Sequence, residues 1–209
     1  MSLVNLHTHT FSNENSVLEV VNQYPWQFDE SVAMYSIGIH PWYIDEDRLN
    51  IDLKCIDEKL KLIECLALGE CGLDKRIETP FQIQIKVFKQ QIEIVQNTSK
   101  PIILHCVAAY QEMIAIKKEM KIENPMIIHG FSKNEQVAKE LVANGCYISF
   151  GKYLMRMPQL ESVFKDMPNH RFFLETDTDE QTIQEVYALA AQYKGLSIPK
   201  IQELVTINF

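Results

Sequence analysis

Four histidines and two carboxylates lie at the ends of short apolar runs in this chain of 209 residues. Imidazole nitrogens and carboxylate oxygens are the ligands that Zn²⁺, Mn²⁺, Fe²⁺ or Co²⁺ accept in proteins. Six such groups exceed the needs of one open tetrahedral site, so the set predicts two divalent cations, bridged by Glu70, that activate water against an anionic ester. The predicted ligands are His7, His9, Glu70, His105, His129 and Asp177.

Each of these residues also has an ordinary structural interpretation. The His7 and His9 pair fits a polar turn, and His105 or His129 alone fits a core histidine bonded to the backbone. Asp177 fits the N-cap of a helix that begins near residue 179. Their shared position favours a metal site, because burying so many polar groups together without a cation would be costly.

The apolar runs that carry these residues are typical of buried parallel strands, since they are short and continuously apolar. Residues 16–22 add an abbreviated second strand. Helices are predicted at 80–98, 180–194 and 198–206, and Ser132 with Glu135 forms a capping box for another helix that stops near residue 144. The runs are 3–7, 33–40, 65–70, 101–105, 125–129, 146–150 and 171–177.

Strands that alternate with helices predict an α/β fold, a compact (β/α)8 TIM-type barrel with an abbreviated second βα unit. The prediction treats residues 1–209 as a single domain. In such barrels the catalytic residues lie at the carboxyl ends of the strands, which is where the six candidate ligands fall.

Composition limits the remaining possibilities. The net charge of −8 argues against a broad electrostatic grip on nucleic acid. The five cysteines include no CxxC pair and are expected to be reduced thiols, with Cys71 and Cys106 serving packing. No apolar stretch approaches the ~20 residues that cross a bilayer, and the start of the chain lacks a signal sequence. We therefore expect a cytoplasmic protein with no membrane association and no obligate protein partner.

Ordered motifs along nearly the whole chain resemble the TatD family of metal-dependent hydrolases and deoxyribonucleases, within the amidohydrolase-like barrels. The resemblance implies that His7, His9, Glu70 and Asp177 hold one cation, and that Glu70, His105 and His129 hold the second. Asp177 would also position or deprotonate the attacking water. The motifs are HTHT (7–10), GIHP (38–41), LGECGLD (68–74), FKQQIEI (88–94), PIILHC (101–106), IIHGFSKN (127–134), GCYISFG (145–151) and LETD (174–177).

The resemblance also implies a phosphoester substrate, such as single-stranded DNA or an oligonucleotide, with His40 facing it. Trp42 stands where the family commonly has a second histidine, and its ring is a candidate for stacking on a base or sugar. Val107 follows Cys106 where the family commonly has an arginine. The loop after Asp177 is short, so the family's long loop over the site is expected to be missing.

Other functions remain open at this point. A polymerase-and-histidinol-phosphatase-type phosphoesterase also begins with HxH, but it should have a histidine near its last aspartate, and none follows His170. A carbamylated-lysine amidohydrolase is disfavoured because Glu70 occupies the bridging position. The chain would alternatively be a metal-binding scaffold that has lost turnover and acts through partners.

Overall fold

The computed structural model describes residues 2–12 and 14–209 and contains a sheet of eight strands. Hydrogen-bonded neighbours follow chain order from the first strand to the eighth, as expected when each strand is followed by a crossover to the next. The predicted alternation of parallel strands with helices is confirmed. The strands are β1 (Leu3–Thr8), β2 (Val17–Gln23), β3 (Tyr35–Ile37), β4 (Cys65–Asp74), β5 (Ile102–Val107), β6 (Met126–Ile128), β7 (Tyr147–Phe150) and β8 (Phe172–Leu174).

The second βα unit is shortened in its helix rather than in its strand. β2 has seven residues, one more than β1. Between β2 and β3 the chain forms only a 3₁₀ helix at Pro25–Gln27. The abbreviation predicted for this unit is therefore correct, but the strand is full length.

The chain divides into two compact units, which we call the central unit and the terminal unit. The central unit is Val21–Ile127, and the terminal unit is the chain up to Val20 together with Ile128–Phe209. The helices of the central unit are α1 (Leu49–Lys59), α2 (Phe81–Val95) and α3 (Tyr110–Glu119). Those of the terminal unit are α4 (Glu135–Ala143), α5 (Lys152–Arg156), α6 (Leu160–Asp166), α7 (Ile183–Lys194) and α8 (Ile198–Asn208).

The core of the central unit is built on β4, which pairs in parallel with β3 and β5. Helix α2 covers this sheet with one apolar face, whose Val87, Phe88 and Ile92 are buried. The periodicity over residues 80–98 predicted this helix. Gln91 on the same face is buried, and its amide group bonds both the N–H and the C=O of Ile39. The backbone polar groups of Ile39, just before His40, therefore have hydrogen-bond partners inside the core.

The core of the terminal unit is a series of edge-to-face aromatic contacts. Phe164 of α6 packs 5.0 Å from Phe150 and 5.1 Å from Phe172, measured between ring centroids. Tyr187 of α7 is fully buried, and its hydroxyl group donates to Val4 O at 3.0 Å. This bond fixes α7 to the strand that carries His7.

One predicted helix start is wrong. Helix α4 begins at Glu135, and its cap is Asn134, whose side chain accepts from Val137 N–H at 3.1 Å. Ser132 lies too early to make the predicted capping box with Glu135. The helix ends at Ala143 with Asn144 as its C-cap, close to the predicted stop, and Gly145 has a φ of 77° that suits glycine.

None of the five cysteines, all of which the structure describes, forms a disulfide, and four of them, Cys71 and Cys106 included, are buried. Burial raises the pKa of Cys71, which is consistent with an unreactive packing role. Among the described residues, no helix combines the length and the apolar character needed to cross a bilayer.

Candidate functional site

Glu70 lies at an irregularity in strand β4. The parallel register between β4 and β5 shifts between Leu68 and Cys71, so Glu70 falls inside the shift. Gly69 and Gly72 flank it, and a Cβ atom at either position would overlap backbone of β5. The Glu70 N–H donates to the side-chain oxygen of Asn22 at 2.6 Å. The two glycines and the asparagine therefore hold the Glu70 backbone close against β5.

Glu70 meets two histidines of the central unit. Its Oε1 lies 2.9 Å from His105 Nδ1 and 3.2 Å from His40 Nε2. The three residues each offer one ligand atom within a cluster no wider than 4.8 Å. His40 Nδ1 accepts the Trp42 N–H at 3.1 Å, so a neutral His40 ring carries its proton on Nε2 and donates to Glu70. His40 is thus better suited to orient Glu70 than to bind a cation.

Asp74, at the end of β4, is a member of this cluster that the sequence prediction missed. Its Oδ2 lies 3.2 Å from His105 Nε2 and accepts the Trp42 indole N–H at 2.9 Å. Its Oδ1 accepts the Arg76 N–H at 2.8 Å. Burial raises the pKa of the Asp74 carboxyl, but the bonds from Trp42, Arg76 and His105 outweigh burial and hold the pKa below its usual value. Asp74 is therefore a buried carboxylate in contact with a candidate ligand.

The terminal unit brings together the other four candidate ligands. Asp177 Oδ1 lies 3.6 Å from His9 Nε2 and 3.8 Å from His7 Nε2. The ring centroids of His7 and His129 are 4.5 Å apart. His7, His129 and Asp177 each present one ligand atom within a cluster no wider than 4.8 Å.

Asp177 is fixed by backbone contacts rather than by a strand of its own. β8 ends at Leu174, and Asp177 N–H donates to His7 O at 2.9 Å while His9 N–H donates to Asp177 O at 3.1 Å. Its φ of 58° is in the left-handed region, which aspartate tolerates better than most residues. Thr182 caps α7, so Asp177 is not the helix cap that the sequence allowed.

Glu175 and Lys152 are further members of the terminal cluster that the prediction did not assign. Glu175 is buried, and its Oε1 lies 3.4 Å from His129 Nδ1 and accepts the Gly130 N–H at 2.7 Å. Lys152 Nζ donates to Asp177 Oδ2 at 2.5 Å. Asp74 and Glu175 each lie in a motif that also carries a predicted ligand, Asp74 in LGECGLD with Glu70 and Glu175 in LETD with Asp177, and this proximity was the available signal for both carboxylates.

The charges around Asp177 favour its ionised form. Burial raises the pKa of this carboxyl, but His129, His7 and the Lys152 ammonium together outweigh burial and lower the pKa. Asp177 thus presents one charged oxygen to the histidines and the other to Lys152.

Both clusters fit a divalent cation by the chemistry of their donors. The terminal cluster combines His7 and His129 with Asp177, and the central cluster combines His105 with Glu70, at spacings that a single ion would span. Each also includes a buried carboxylate behind a histidine, an arrangement that commonly orients metal-binding imidazoles. The resemblance placed His129 with Glu70 and His105, whereas in the structure His129 lies with His7 and Asp177 in the terminal unit. Bridging by Glu70 stays a prediction.

Solved structures with the same fold include two TatD homologues. Over 99% of this chain, the structure matches YjjV of Escherichia coli with a TM-score of 0.83 and 19% identity, covering 95% of that chain. A TatD family hydrolase of Entamoeba histolytica matches over 99% of the chain and 96% of its own, with a TM-score of 0.84 and 14% identity. At these identities the likeness concerns the fold, and it confirms the predicted (β/α)8 TIM-type class.

Sequence comparisons place the chain more closely. Bacillus subtilis YabD, named an uncharacterized metal-dependent hydrolase, is 32% identical over 191 residues, which cover 83% of this chain and 74% of YabD. The human deoxyribonuclease TATDN3 is 28% identical over 195 residues, which cover 82% of this chain and 71% of TATDN3. These relatives favour an enzyme over the non-catalytic scaffold. The family model for TatD related DNase matches residues 2–209, and the chain belongs to the TatD family of metal-dependent hydrolases.

Proposed function

We propose that this protein hydrolyses phosphodiester bonds in DNA ends or oligonucleotides with the help of two divalent cations. The observation that carries the proposal is the presence, in each unit, of a compact imidazole and carboxylate cluster that includes predicted ligands. The name of the human relative supports DNA as the substrate. Two clusters support two ions, because each has its own carboxylate and its own histidines.

In the terminal unit, the proposed ligands are His7, His9, His129 and Asp177. In the central unit, they are Glu70 and His105. When bound, divalent cations would lower the pKa of a water molecule and neutralise charge on the phosphoryl group. The ion at each cluster is proposed to be Zn²⁺, Mg²⁺, Mn²⁺, Fe²⁺ or Co²⁺, and how Glu70 is shared between the two stays a prediction.

The residues themselves supply orientation and charge. Asp177 is ionised, so its Oδ1 is available to orient an attacking water or to accept its proton. His40 donates from Nε2 to Glu70, which keeps that carboxylate turned toward His105. Both residues are buried, so bulk water does not compete for these contacts.

Lys152 is the proposed replacement for the family's missing arginine. Val107 supplies no charge after Cys106, whereas the Lys152 ammonium lies beside Asp177 and is mostly buried. Burial lowers its pKa, but Asp177 outweighs that effect and the pKa is raised, so Lys152 stays charged. A cation at this position would hold a phosphoryl oxygen of the substrate.

Trp42 is the proposed contact for a base or sugar. Its residue surface is 55% exposed, while its indole N–H is fixed to Asp74. A ring held at one edge and open to solvent suits stacking on an unpaired nucleobase, which typically contributes about 1–3 kcal/mol. We further propose that the enzyme acts in the cytoplasm without a protein partner.

The test is an activity assay on the purified, metal-loaded protein. Single-stranded DNA labelled at its 3′ end and a nitrophenyl phosphodiester are each incubated with Mg²⁺, Mn²⁺, Zn²⁺ or Co²⁺, with and without a chelator. The proposal predicts metal-dependent hydrolysis of both substrates by the wild type, and loss of both activities in Glu70→Ala and Asp177→Ala. Equal inertness of the wild type and both variants, with cations still bound, would support the scaffold instead.

A further inference from the structure

The carboxyl group of Asp74 connects an exposed aromatic residue with a proposed metal ligand. One oxygen, Oδ2, accepts the Trp42 indole N–H at 2.9 Å and lies 3.2 Å from His105 Nε2. His105 Nδ1, on the other side of the same ring, lies 2.9 Å from Glu70 Oε1. The imidazole is therefore held between two carboxylates, one on each nitrogen.

A neutral imidazole carries one proton, so its two nitrogens must take different roles. Glu70 is the proposed ligand, and a cation shared with it would require an unprotonated Nδ1. The proton then sits on Nε2, where Asp74 accepts it. A carboxylate behind a metal-binding histidine fixes both the tautomer and the ring orientation in this way.

The surroundings of Asp74 leave its carboxylate little freedom. Asp74 is 2% exposed, and the Gln84 side chain bonds both its backbone N–H at 2.8 Å and its backbone C=O at 2.9 Å. Its other oxygen accepts from Arg76 N–H. Because the Trp42 and Arg76 N–H groups hold its two oxygens, the Asp74 carboxylate is already oriented to accept the proton of His105 Nε2.

We propose that Asp74, held in place by the Trp42 indole N–H, is a positioning residue that sets His105 to bind a cation through Nδ1. This inference rests on the proposed function, because it takes His105 to be a metal ligand. It also gives Trp42 a second role besides substrate contact: the same ring that faces solvent keeps the carboxylate aligned. The six predicted ligands alone indicate neither the positioning role of Asp74 nor this role of Trp42.

The variant Asp74→Asn tests the inference without changing the size of the side chain. Both oxygens of Asp74 accept hydrogen bonds, so an amide must turn its NH₂ group toward one of the existing donors. We expect the affinity for Zn²⁺, measured by competition with a chromophoric chelator, to fall by about 10- to 100-fold. In ¹⁵N-labelled Zn²⁺-loaded protein, the His105 ring should show Nε2–H in the wild type and lose this single tautomer in the variant.

Two further variants make the test specific. Trp42→Phe keeps an aromatic ring and removes only the indole N–H, so the affinity should fall by about threefold to tenfold. The Trp42→Phe variant also tests the inference by itself if the Asp74→Asn variant fails to fold. Asp52→Asn is the matched control, because Asp52 is a buried carboxylate of the same unit that bonds Arg48 and belongs to neither histidine cluster. Its Zn²⁺ affinity should stay within about twofold of the wild type.

The outcomes separate this inference from the proposed function. A wild type that retains no Zn²⁺ under any condition would overturn the proposed function and the positioning role with it. A wild type that binds Zn²⁺ normally, beside Asp74→Asn and Trp42→Phe variants with unchanged affinity and unchanged His105 tautomer, would overturn the positioning role alone.

Discussion

The histidine clusters of the two units are built on the same plan but differ in what surrounds them. In each, a histidine has a buried carboxylate behind it: Asp74 lies behind His105 of β5, and Glu175 lies behind His129, directly after β6. The central cluster adds the Trp42 indole, while the terminal cluster adds the Lys152 ammonium. The shared plan suits cation binding, and the two additions suit different parts of a nucleotide, the ring and the phosphate.

The difference also separates the roles of the carboxylates. Asp177 gives one oxygen to the histidines and the other to a charged lysine, so its environment favours the anion. Glu70 gives one oxygen to two histidines, His40 and His105. We infer that the terminal cluster is the better place for charge stabilisation of a phosphoryl group.

The largest effect is expected from Asp177→Asn, which removes the charge on which the terminal cluster depends. Hydrolysis of a phosphodiester should fall at least about 100-fold, because losing a ligand should cost more than losing a partner behind one, which is typically 10- to 100-fold. Steady-state kinetics measure this. Asp179→Asn, two residues further on and paired with Arg156, is the control and should retain near wild-type activity. Equal losses in both variants would argue for a general folding defect.

Glu175→Gln should weaken the affinity for Zn²⁺, but less than Asp74→Asn does. The ion-pair contact from Glu175 to His129 is 3.4 Å, longer than a usual N–H···O hydrogen bond, whereas Asp74 lies 3.2 Å from His105 with Trp42 holding it. We expect a loss near the lower end of the 10- to 100-fold range. Chelator competition on both variants makes the comparison. A larger loss for Glu175→Gln would reverse the ranking of the two contacts.

Lys152→Met should raise KM for a phosphodiester while changing kcat less. A hydrogen bond to a charged group contributes about 1.5–3 kcal/mol, which corresponds to roughly 10- to 100-fold in binding. A neutral nitrophenyl ester should show no such change, since it lacks the anionic oxygen. Lys139→Met removes an exposed ion pair with Glu135 in the same unit and serves as the control. If KM for the anionic and neutral substrates moves equally, Lys152 does not hold the phosphate.

The smallest effect concerns stability against pH in the presence of a chelator. The pKa of Asp177 is lowered in the folded protein, so its ionised form stabilises the fold above its usual pKa near 3.8. This stabilisation is lost as the pH falls through the lowered folded value. The difference in unfolding free energy between the wild type and Asp177→Asn should therefore shrink between pH 6 and pH 3. A difference in unfolding free energy that stays constant with pH would contradict the conclusion that Asp177 is ionised in the folded protein.

Much of the fold was predictable because the sequences of buried parallel strands are continuous apolar runs. The runs ending at His105 and His129 became β5 and β6 for this reason. Strand β4 continues to Asp74, beyond the predicted end at Glu70, because two glycines let polar sequence remain in the sheet. The start of α4 was missed because Asn134 competes with Ser132 as a cap, and only the backbone decides which is used.

The candidate ligands were predictable from their position at strand ends, whereas their partners were not. Asp74 and Glu175 contact histidines on other strands, and such contacts depend on register, which no single motif records. Lys152 directly follows the GCYISFG motif, but its contact with Asp177 spans 25 residues, which the motif does not record. A residue that acts through another residue is thus harder to find than a ligand itself.

The most direct test of the central claim is the number of cations that the protein binds. Equilibrium dialysis with Zn²⁺ followed by elemental analysis should give about two ions per chain for the wild type, and about one each for His7→Ala and His105→Ala, with hydrolysis of a phosphodiester lost in both variants. Two clusters that each hold one ion predict this pattern. A wild type that binds no Zn²⁺, or variants that still bind two ions and remain active, would contradict it.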